Sequence, residues 1–469
     1  MRDQIEQYIR DHMDQLCQDT VTLTRIKSVS QFQEGAPHPF GEGCAQVLDR
    51  ALELAAQKGF QVENHEYYCG SVLLPGETKD EIGIMVHLDV VPEGDPAFWS
   101  YPPYEAHIED GYIHGRGSCD NKSCAMVALY LLQGIRELGI SLKHTIRLIF
   151  GCNEEAGMRD ILYFLSKHEP PVFSFTIDGY FALSYAEKGL LAGNLTTVLD
   201  EGGNLLQIHS GHASNVIPNY AWAVLSGVSR EELSQKLGEE FILTRLEEGQ
   251  VKVEVHGIGG HTAFGEKTDS AILKLCRGLL AAGVLTPDAQ KALQFVVDST
   301  GDYFGTGFGI QGSEDESRTT VACGMLHTEG RVLTMNFNSR YIVSANPDAL
   351  KSEIRSRAEV AGFSVKDWTH SAASYVDPDS NPIRCLVDCC NEILHTDYKP
   401  FVINGGTYAR KMPNAVAYGL TMPDMVVPKG RGHAHEPNEC VSISSLENGL
   451  RVYLHALPRL DNVLAEEGK

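Results

Sequence analysis

Acidic and histidine side chains stand where several apolar segments of the sequence end. His87 and Asp89 follow the apolar run GIMV, Glu154 and Glu155 follow the run HTIRLIFGCN, and Asp178 closes VFSFTID. Adjacent carboxylates at the end of a buried strand are costly unless a cation or a proton compensates their charge. Imidazole and carboxylate ligands without cysteine suit zinc, manganese or cobalt. The pattern therefore indicates a divalent-metal site.

Each of these residues also has a simpler interpretation. Asp120, in GRGSCDNKS, is typical of a helix cap, a His-x-Asp pair is common at a strand end, and a lone acid such as Asp178 is usual in a turn. Several such residues around one sheet edge are harder to explain as turns. With His87 as a ligand, Asp89 would share its face of the strand and accept the other ring N–H. A carboxylate bridging two ions would place them about 3.5–4 Å apart, with an acidic water between them.

The elements that must position these side chains follow from hydrophobic periodicity. Apolar residues at helical spacing predict helices, and short apolar, β-branched runs predict buried strands. The predicted helices cover residues 2–19, 44–59, 121–139 and 377–394, and the predicted strands cover 81–91, 144–153 and 172–178. Strands alternating with helices predict an α/β domain with a mixed, largely parallel sheet flanked by helices. Sites in such sheets lie beyond the carboxyl ends of the strands.

The hydrophobic pattern of the sequence changes near residue 187. From there to about residue 380, short alternating runs such as VKVEVHGIGGHTA and VLTMNFNSRYIV predict strands with fewer helices between them. This pattern favours a separate α+β domain inserted into the first one. We therefore predict one domain at residues 1–186 and 382–469, which carries the metal residues, and an inserted domain at residues 187–381.

Composition and charge disfavour several classes of function. The chain has 39 basic and 62 acidic residues, and its formal net charge of −23 disfavours binding to nucleic acid or to anionic membranes. It contains no apolar stretch of about 18 residues and no signal-peptide pattern. Its twelve cysteines form no Cys-x-x-Cys pair and lie mostly in apolar runs. We expect a cytoplasmic protein with reduced cysteines.

Other catalytic classes find little support in the sequence. The glycine-rich segments lack dinucleotide and P-loop spacing, which disfavours a nucleotide-dependent enzyme, and no Gly-x-Ser-x-Gly elbow occurs. Cys119 and Cys152 flank the acidic positions, but nothing in the sequence pairs either thiol with a base, as a cysteine nucleophile requires. If these two thiols are exposed, they would make the site sensitive to oxidation.

Longer motifs resemble those of the M20 metallopeptidases. The segment VHLDVVPEGDPAFWSYPPYEAHIEDGYIHGRGSCDNK (86–122) is similar to the signature of that family, and NEEAG (153–157) is similar to its Glu-Glu motif. The similarity continues in GHASNVIPNYA (211–221), GIGGHTAFGEKTDSA (257–271), NSRY (338–341), INGGTYAR (403–410) and HEPNE (435–439). It covers nearly the whole chain, and the last two motifs resemble the bacterial dipeptidase V (PepV-like) branch.

The resemblance implies a role for each metal residue. Asp120 would bridge two divalent ions, His87 and Asp178 would complete one site, and Glu155 and His435 would complete the other. The last ligand is assigned to His435 rather than to His433, because the family motif reads His-x-x-Asn-Glu. Zinc is the expected metal, with manganese or cobalt as alternatives.

The resemblance also implies roles around the metals. Glu154 would be the general base that takes a proton from the metal-bridging water, which would be the nucleophile, and Asp89 would orient the first histidine ligand. Gly405, Gly406 and Thr407 match a loop that holds the C-terminal carboxylate of the substrate.

The inserted domain would be a lid in this family. His261 would stabilise the tetrahedral oxyanion, and Asn215 and Arg340 match lid positions that contact the substrate. Where many members have Asp-Asp-Lys-Gly, this chain has Asp-Asn-Lys-Ser at 120–123, a difference that would alter the loop and the groups behind the bridging ligand.

The function expected from the resemblance is hydrolysis of dipeptides or short peptides by a metal-dependent dipeptidase. An N-acyl amino acid deacylase with the same metal chemistry is the nearest alternative, and it would need an apolar acyl pocket instead of a partner for a free amine. The acidic composition favours the amine-bearing substrate. A non-catalytic metal-binding scaffold is a third possibility, disfavoured because all five ligands and the general base are kept. A monomer is favoured over a dimer.

Overall fold

The computed structural model describes residues 1–246, 249–314 and 317–468 of the chain. It divides the chain into two compact units, one formed by residues 1–186 with 375–469 and the other by residues 187–374. The second unit is thus inserted into the sequence of the first. The roles of catalytic domain and lid, assigned above to 1–186 with 382–469 and to 187–381, remain predictions.

The amino-terminal part of the first unit alternates helices with strands. Its elements are α1 (Arg2–Thr24), α2 (Glu42–Gln57), β1 (Gln61–His65), β2 (Cys69–Leu74), β3 (Glu81–His87), β4 (His107–Glu109), β5 (Tyr112–His114), α3 (Ser123–Glu137), β6 (Thr145–Gly151), α4 (Arg159–Lys167), β7 (Phe173–Thr176) and β8 (Ser184–Glu187).

The inserted unit is richer in strands. Its elements are β9 (Gly189–Val198), β10 (Leu205–Ser210), β11 (Val216–Ile217), β12 (Tyr220–Ser226), α5 (Arg230–Lys236), β13 (Phe241–Arg245), β14 (Gln250–His256), β15 (Gly260–His261), α6 (Ala271–Ala282), α7 (Pro287–Thr300), β16 (Ser313–Glu314), β17 (Ser317–Arg318), β18 (Thr320–Ala322), β19 (Leu326–Glu329), β20 (Val332–Tyr341), α8 (Pro347–Val360) and β21 (Ser364–Ser371).

The chain then returns to the first unit. Its carboxyl-terminal elements are β22 (Ser374–Tyr375), α9 (Asn381–Leu394), β23 (Phe401–Ile403), β24 (Ala415–Ala417), β25 (Cys440–Ser442) and α10 (Ile443–Glu467). No helix of the described ranges is long and apolar enough to cross a membrane.

The sheet of the first unit is mixed, with a parallel centre. Its strand order is β1-β2-β6-β3-β7-β24-β8-β22, with β23 paired to β8. β3 runs parallel to β6 and β7, and β24 runs parallel to β7, whereas β1, β2 and β8 pair antiparallel with their neighbours. β3 and β6 are buried along almost their whole length, as expected for strands covered on both faces. The predicted fold class is confirmed for this unit.

The inserted unit is built on a separate antiparallel sheet. Its strand order is β13-β14-β12-β10-β19-β20-β9-β21, with β18 paired to β20. Alternate residues of β14 are buried, the pattern of a sheet with one face on a core and one toward solvent. Helices α6, α7 and α8 contribute apolar residues to this core, including Leu275, Leu293 and Ile354. The predicted α+β character of the insertion is confirmed.

Element boundaries differ from the prediction where the chain leaves the sheet. The predicted strand 81–91 ends at His87, and the predicted strand 172–178 ends at Thr176. In both cases an acidic residue of the candidate site lies two positions beyond the strand, Asp89 after β3 and Asp178 after β7. The amino-terminal helix instead continues to Thr24, beyond the predicted residue 19.

Candidate metal centre

The central strands present the first residues of the site. His87 is the last residue of β3, and its imidazole is almost completely buried. Asp178 lies two residues beyond β7, the neighbour of β3. Glu155 follows β6, the other neighbour. Since these three strands are parallel, their carboxyl ends meet at one edge of the sheet, where the sequence places a site.

Asp120 lies between two histidines. Its Oδ1 is 2.9 Å from His87 Nε2, and its Oδ2 is 3.1 Å from His435 Nε2. His435 lies in the loop before β25 and has a left-handed backbone conformation, with φ of +67°, which is uncommon for a residue other than glycine. The two oxygens of one carboxylate thus face two different imidazoles.

The five predicted ligands form two groups that share Asp120. One group contains His87, Asp120 and Asp178, and the other contains Asp120, Glu155 and His435, with one ligating atom from each residue within 4.8 Å of the others. His87 Nε2 lies 3.8 Å from Asp178 Oδ2, and His435 Nε2 lies 2.8 Å from Glu155 Oε1. Three carboxylates and two imidazoles in this arrangement fit a pair of divalent cations. Their role as ligands stays a prediction.

The carboxylates control the charge of the two imidazoles. Hydrogen bonds to Asp120 and Glu155 raise the pKa of His435 to about 10. Burial alone would lower the pKa of His87, but the carboxylates of Asp120 and Asp89 outweigh burial and hold that pKa well above its usual value. Likewise, the two histidines hold the pKa of Asp120 below its usual value against the opposing effect of burial. The site therefore attracts positive charge strongly.

Glu154 stands beside the two groups without being a member of either. Its Oε1 is buried and makes no hydrogen bond within the described part of the chain. Burial, followed by the negative charge of Asp178, raises the pKa of the Glu154 carboxyl well above its usual value. A raised pKa and an open acceptor atom are properties of a carboxylate that exchanges protons near neutral pH.

Asp89 holds two parts of the site. The closest acceptor to His87 Nδ1 is the Asp89 backbone carbonyl at 3.0 Å, whereas the Asp89 carboxylate lies 3.6 Å away. The carboxylate oxygens accept hydrogen bonds from the backbone N–H groups of Glu154 and Glu155, each at 3.1 Å. Asp89 therefore fixes the turn that carries the two glutamates, and its predicted role in orienting the imidazole stays a prediction.

A buried ion pair holds the loop that presents Asp120. Glu439 Oε1 accepts hydrogen bonds from the backbone N–H groups of Gly117, Cys119 and Asp120 at 3.0–3.1 Å, while its Oε2 pairs with the guanidinium of Arg116. Arg116 also donates to the carbonyl of residue 435 at 3.3 Å. Arg116 and Glu439 lie in the motifs at 86–122 and 435–439, but their residue types and spacing indicated no role for either.

A second buried carboxylate holds the end of β6. Asp160 accepts hydrogen bonds from the backbone N–H groups of Cys152, Asn153 and Ile161 and from the hydroxyl of Tyr408, at 2.5–2.8 Å. Sequence reasoning did not identify Asp160, because a single acid near a helix start gives no signal that separates this role from an ordinary cap.

The loop predicted to bind a carboxylate lies close to this anchor. Thr407 precedes Tyr408, and its hydroxyl accepts a hydrogen bond from the backbone N–H of Ala409 at 3.2 Å. The carbonyl of Gly405 accepts from Arg410 Nη2 at 2.6 Å. A Cβ atom at Gly406 would lie 2.4 Å from the guanidinium carbon of Arg410, so a larger residue there would displace the Arg410 side chain. The ring centroid of Tyr408 lies 6.3 Å from that of His87.

Asn121, one of the residues at which this chain departs from the family motif, connects two strand ends. Asn121 Oδ1 accepts a hydrogen bond from the backbone N–H of His87 at 3.3 Å, and its Nδ2 donates to the carbonyl of Ile177 at 2.8 Å. An amide can donate and accept, whereas an ionised carboxylate only accepts. The asparagine therefore links the ends of β3 and β7 in a way that an ionised aspartate could not reproduce.

The two cysteines near the site are poor candidates for a nucleophile. Burial raises the pKa of both Cys119 and Cys152 well above the usual value for a thiol. A catalytic cysteine needs the opposite shift, because only the thiolate attacks. The thiol of Cys152 is fully buried and contacts the carbonyl of Cys44, so access for an oxidant is also limited at that position.

A cavity of about 200 Å³ adjoins Asp120 and Asp178. Its wall includes Tyr180, Leu420 and Met425 and exposes more apolar than polar surface. A cavity of this character next to the candidate ligands suits an uncharged side chain of a small substrate.

The predicted lid residues lie in the inserted unit. β11 pairs with β15, which places His261 opposite Val216, and Asn215 accepts a hydrogen bond through its carbonyl from the backbone N–H of Thr262 at 3.0 Å. His261 Nδ1 accepts from the backbone N–H of Ala263 at 3.1 Å. The structure therefore brings Asn215 and His261 together within that unit.

Arg340 lies on β20, in register with Leu190 of β9 and Thr320 of β18. Two residues earlier on the same strand, Asn338 accepts a hydrogen bond from the hydroxyl of Thr262 at 3.3 Å. β20 therefore contacts the segment that contains His261, the residue predicted to stabilise the oxyanion.

Known proteins resemble this chain in sequence and in fold. Residues 83–459 match Peptidase family M20/M25/M40. A relative from Bacillus subtilis (strain 168), named "Putative dipeptidase YtjP", is 29% identical over 464 residues, covering 95% of this chain and 97% of that protein. Among solved structures, human carnosine dipeptidase 1 aligns with a TM-score of 0.57 at 14% identity, covering 98% of this chain and 100% of that chain. The dipeptidase Dug1p of Saccharomyces cerevisiae aligns with a TM-score of 0.58 at 12% identity, covering 98% and 99%.

The two structural likenesses concern the fold, whereas the family match spans most of the sequence. The predicted resemblance and the predicted class of enzyme, an M20-type peptidase, are both confirmed by that match. This chain belongs to peptidase family M20/M25/M40.

Proposed function

We propose that the protein is a metal-dependent dipeptidase whose centre holds two divalent ions through His87, Asp120, Glu155, Asp178 and His435. The observation that carries this proposal is the position of Asp120, whose two oxygens face the two histidines at 2.9 and 3.1 Å. The names of the relatives, which include "Putative dipeptidase YtjP" of Bacillus subtilis and human carnosine dipeptidase 1, support the substrate class. Nitrogen and oxygen donors without cysteine favour zinc, with manganese or cobalt as alternatives.

Two bound cations would polarise the scissile carbonyl and make water acidic enough to attack it at neutral pH. The protein's own contribution to the proton transfer is Glu154. Its buried Oε1 accepts the proton of the attacking water, and the same atom returns that proton to the leaving amine nitrogen.

The rest of the machinery positions the substrate. The loop at Gly405, Gly406 and Thr407 offers backbone and hydroxyl groups for the C-terminal carboxylate of a dipeptide. The apolar cavity beside Asp178 takes a substrate side chain. The inserted unit acts as a lid, in which His261 stabilises the oxyanion and Asn215 and Arg340 contact the substrate.

The test is hydrolysis of a panel that sets free dipeptides beside N-acetyl amino acids, using apo protein reloaded with zinc, manganese or cobalt. We expect metal-dependent turnover of the dipeptides. Glu154→Gln should reduce kcat by about 10²–10⁴-fold while metal content is unchanged, and Glu169→Gln, at an exposed position of the same unit, should match the wild type.

Each outcome of the panel is informative. Turnover of acyl amino acids alone would keep the metal centre and replace dipeptidase by deacylase. Full activity of the Glu154→Gln variant would refute the general base. Stoichiometric metal binding with no turnover of any substrate would refute the enzyme as stated and favour the scaffold.

A further inference from the structure

We propose that the hairpin of β4 and β5 carries a further transition-metal site, built from His107, Glu109 and His114 and separate from the catalytic centre. One ligating atom from each of these residues lies within 4.8 Å of the others. The expected ligand is a zinc ion or a divalent cation of similar preference, since two imidazoles and one carboxylate form a common donor set for zinc.

The register of the hairpin produces the cluster. His107 and His114 are directly paired across the two strands, and Glu109 stands two residues after His107. Residues paired across antiparallel strands share a face of the sheet, as do residues two apart on one strand. The two imidazole rings are stacked, with centroids 5.0 Å apart and an angle of 10° between their planes.

A buried nitrogen without a partner points to a ligand. His114 is only 4% exposed, and its Nε2 is buried and makes no hydrogen bond within the described ranges. A buried polar atom left without a hydrogen bond destabilises the fold. Coordination of a cation would remove that cost.

The neighbouring hydrogen bonds leave lone pairs on the two Nε2 atoms. The hydroxyl of Tyr101 donates to the carbonyl of Glu439 at 3.2 Å, and it lies 3.1 Å from His114 Nδ1. In the arrangement we propose, the single hydrogen of that hydroxyl goes to the Glu439 carbonyl, His114 Nδ1–H donates to the hydroxyl oxygen, and the lone pair of the ring is on Nε2. His107 Nδ1 faces the carbonyl of Glu105 at 3.3 Å, so its proton is on Nδ1 as well.

Three acceptors therefore meet without a donor. His107 Nε2 lies 3.9 Å from Glu109 Oε2, and His114 supplies the third lone pair. Burial lowers the pKa of His114 against the opposing effect of Glu109, which favours the neutral form of the ring, the form that binds metals. Arg431 is 3.9 Å from the ring centroid of Tyr112 and 3.3 Å from Asp110.

The site remains open to solvent on one side. The side chains of His107 and Glu109 are 37% and 66% exposed, so both can move to close around an ion and water can complete its coordination. The hydroxyl of Tyr101 on the far nitrogen of His114 is the partner that commonly fixes the orientation of a metal-binding imidazole.

The experiment compares zinc content per full-length chain by mass spectrometry after incubation with micromolar free zinc and desalting. We expect His107→Ala and Glu109→Gln each to bind one zinc fewer than the wild type and to keep their activity toward dipeptides. His38→Ala is the matched control, because His38 also lies beside a glutamate, at 2.7 Å from Glu42, but is not part of a three-residue group in the described chain.

Cobalt substitution gives a second measurement that does not depend on activity. The visible absorption of cobalt bound by the wild type should lose one component in His107→Ala. His114→Ala should show the same loss if circular dichroism confirms that it folds. Equal zinc content in the wild type, His107→Ala and Glu109→Gln would overturn the proposal, as would loss of one zinc in His38→Ala.

Discussion

Replacement of Glu439 by glutamine should weaken the catalytic centre without touching a proposed ligand. Glu439 is completely buried, and Arg116, its ion-pair partner, is 1% exposed. The carboxylate also accepts hydrogen bonds from the backbone N–H groups of residues 117, 119 and 120. Glutamine has nearly the same shape, but it leaves the guanidinium without its counter-charge and turns an amide group toward a donor.

The magnitude follows from the burial of both partners. Breaking a buried ion pair by removing one charge costs about 3–5 kcal/mol. For a folding unit of this size, about 2 °C of melting temperature corresponds to 1 kcal/mol, so the melting temperature should fall by about 6–10 °C. Because the same carboxylate holds the backbone of Asp120, metal affinity should fall by about 10–100-fold, as is typical when a group behind a metal ligand is removed.

The assay is thermal unfolding of the apo protein together with calorimetric titration of the apo protein with zinc. Glu53→Gln is the control, because Glu53 forms an exposed pair with Arg50 at 2.5 Å and such pairs contribute about 0–1 kcal/mol. If Glu439→Gln retained the wild-type melting temperature and zinc affinity, the argument that this buried carboxylate holds the Asp120 loop would be refuted.

Three further predictions concern stability. Burial, followed by the charge of Asp89, raises the pKa of Asp160 to about 6, so its protonation stabilises the native state by about 3 kcal/mol below pH ~4, and this contribution is lost as the pH rises through 6; the melting temperature of the wild type minus that of Asp160→Asn, which does not titrate, should therefore be higher at pH 4.5 than at pH 7, and a difference independent of pH would contradict the assignment. Phe337→Ala in the core of the inserted unit should cost about 3–5 kcal/mol in a denaturant titration, whereas Val360→Ala, at an 81% exposed position, should change stability by less than about 0.5 kcal/mol. Removal of metal by a chelator should lower the melting temperature, and zinc at about 1,000 times its Kd should restore about 4 kcal/mol; a melting temperature insensitive to zinc would argue against a metal centre in the native state.

The parallel centre of the first sheet could be predicted because its strands carry continuous apolar runs. β3 and β6 are buried on both faces, so hydrophobicity alone marks them, and the polar residues that follow them mark the sheet edge. The positions of His87, Glu155 and Asp178 at that edge follow from the parallel pairing. His435 did not follow from any such pattern. It lies in a loop far along the chain, and only the resemblance to the family singled it out.

The residues that hold the site were beyond sequence reasoning for a physical reason. Glu439 contacts backbone N–H groups about 320 positions earlier in the chain. A carboxylate that accepts from the backbone requires no particular partner residue, so nothing at the other end of the contact marks it. The same holds for Asp160, three of whose four donors are backbone N–H groups. Bonds to backbone N–H groups, whether distant as for Glu439 or nearby as for Asp160, leave no periodicity and no characteristic residue pair to detect.

The carboxylates of Asp89, Asp160 and Glu439 act in the same way. Asp89 binds the N–H groups of the Glu154 turn, Asp160 binds those at the end of β6, and Glu439 binds those of the Asp120 loop. In each case a buried carboxylate accepts hydrogen bonds from the backbone N–H groups of a loop that carries a proposed catalytic or metal-binding residue, and these bonds offset part of the cost of burying its charge. The loops are therefore held in place before metal or substrate arrives, which reduces the reorganisation needed for catalysis. Because the anchors bind backbone, substitution of an anchor should alter metal binding or turnover through the displaced ligand or general base that its loop carries.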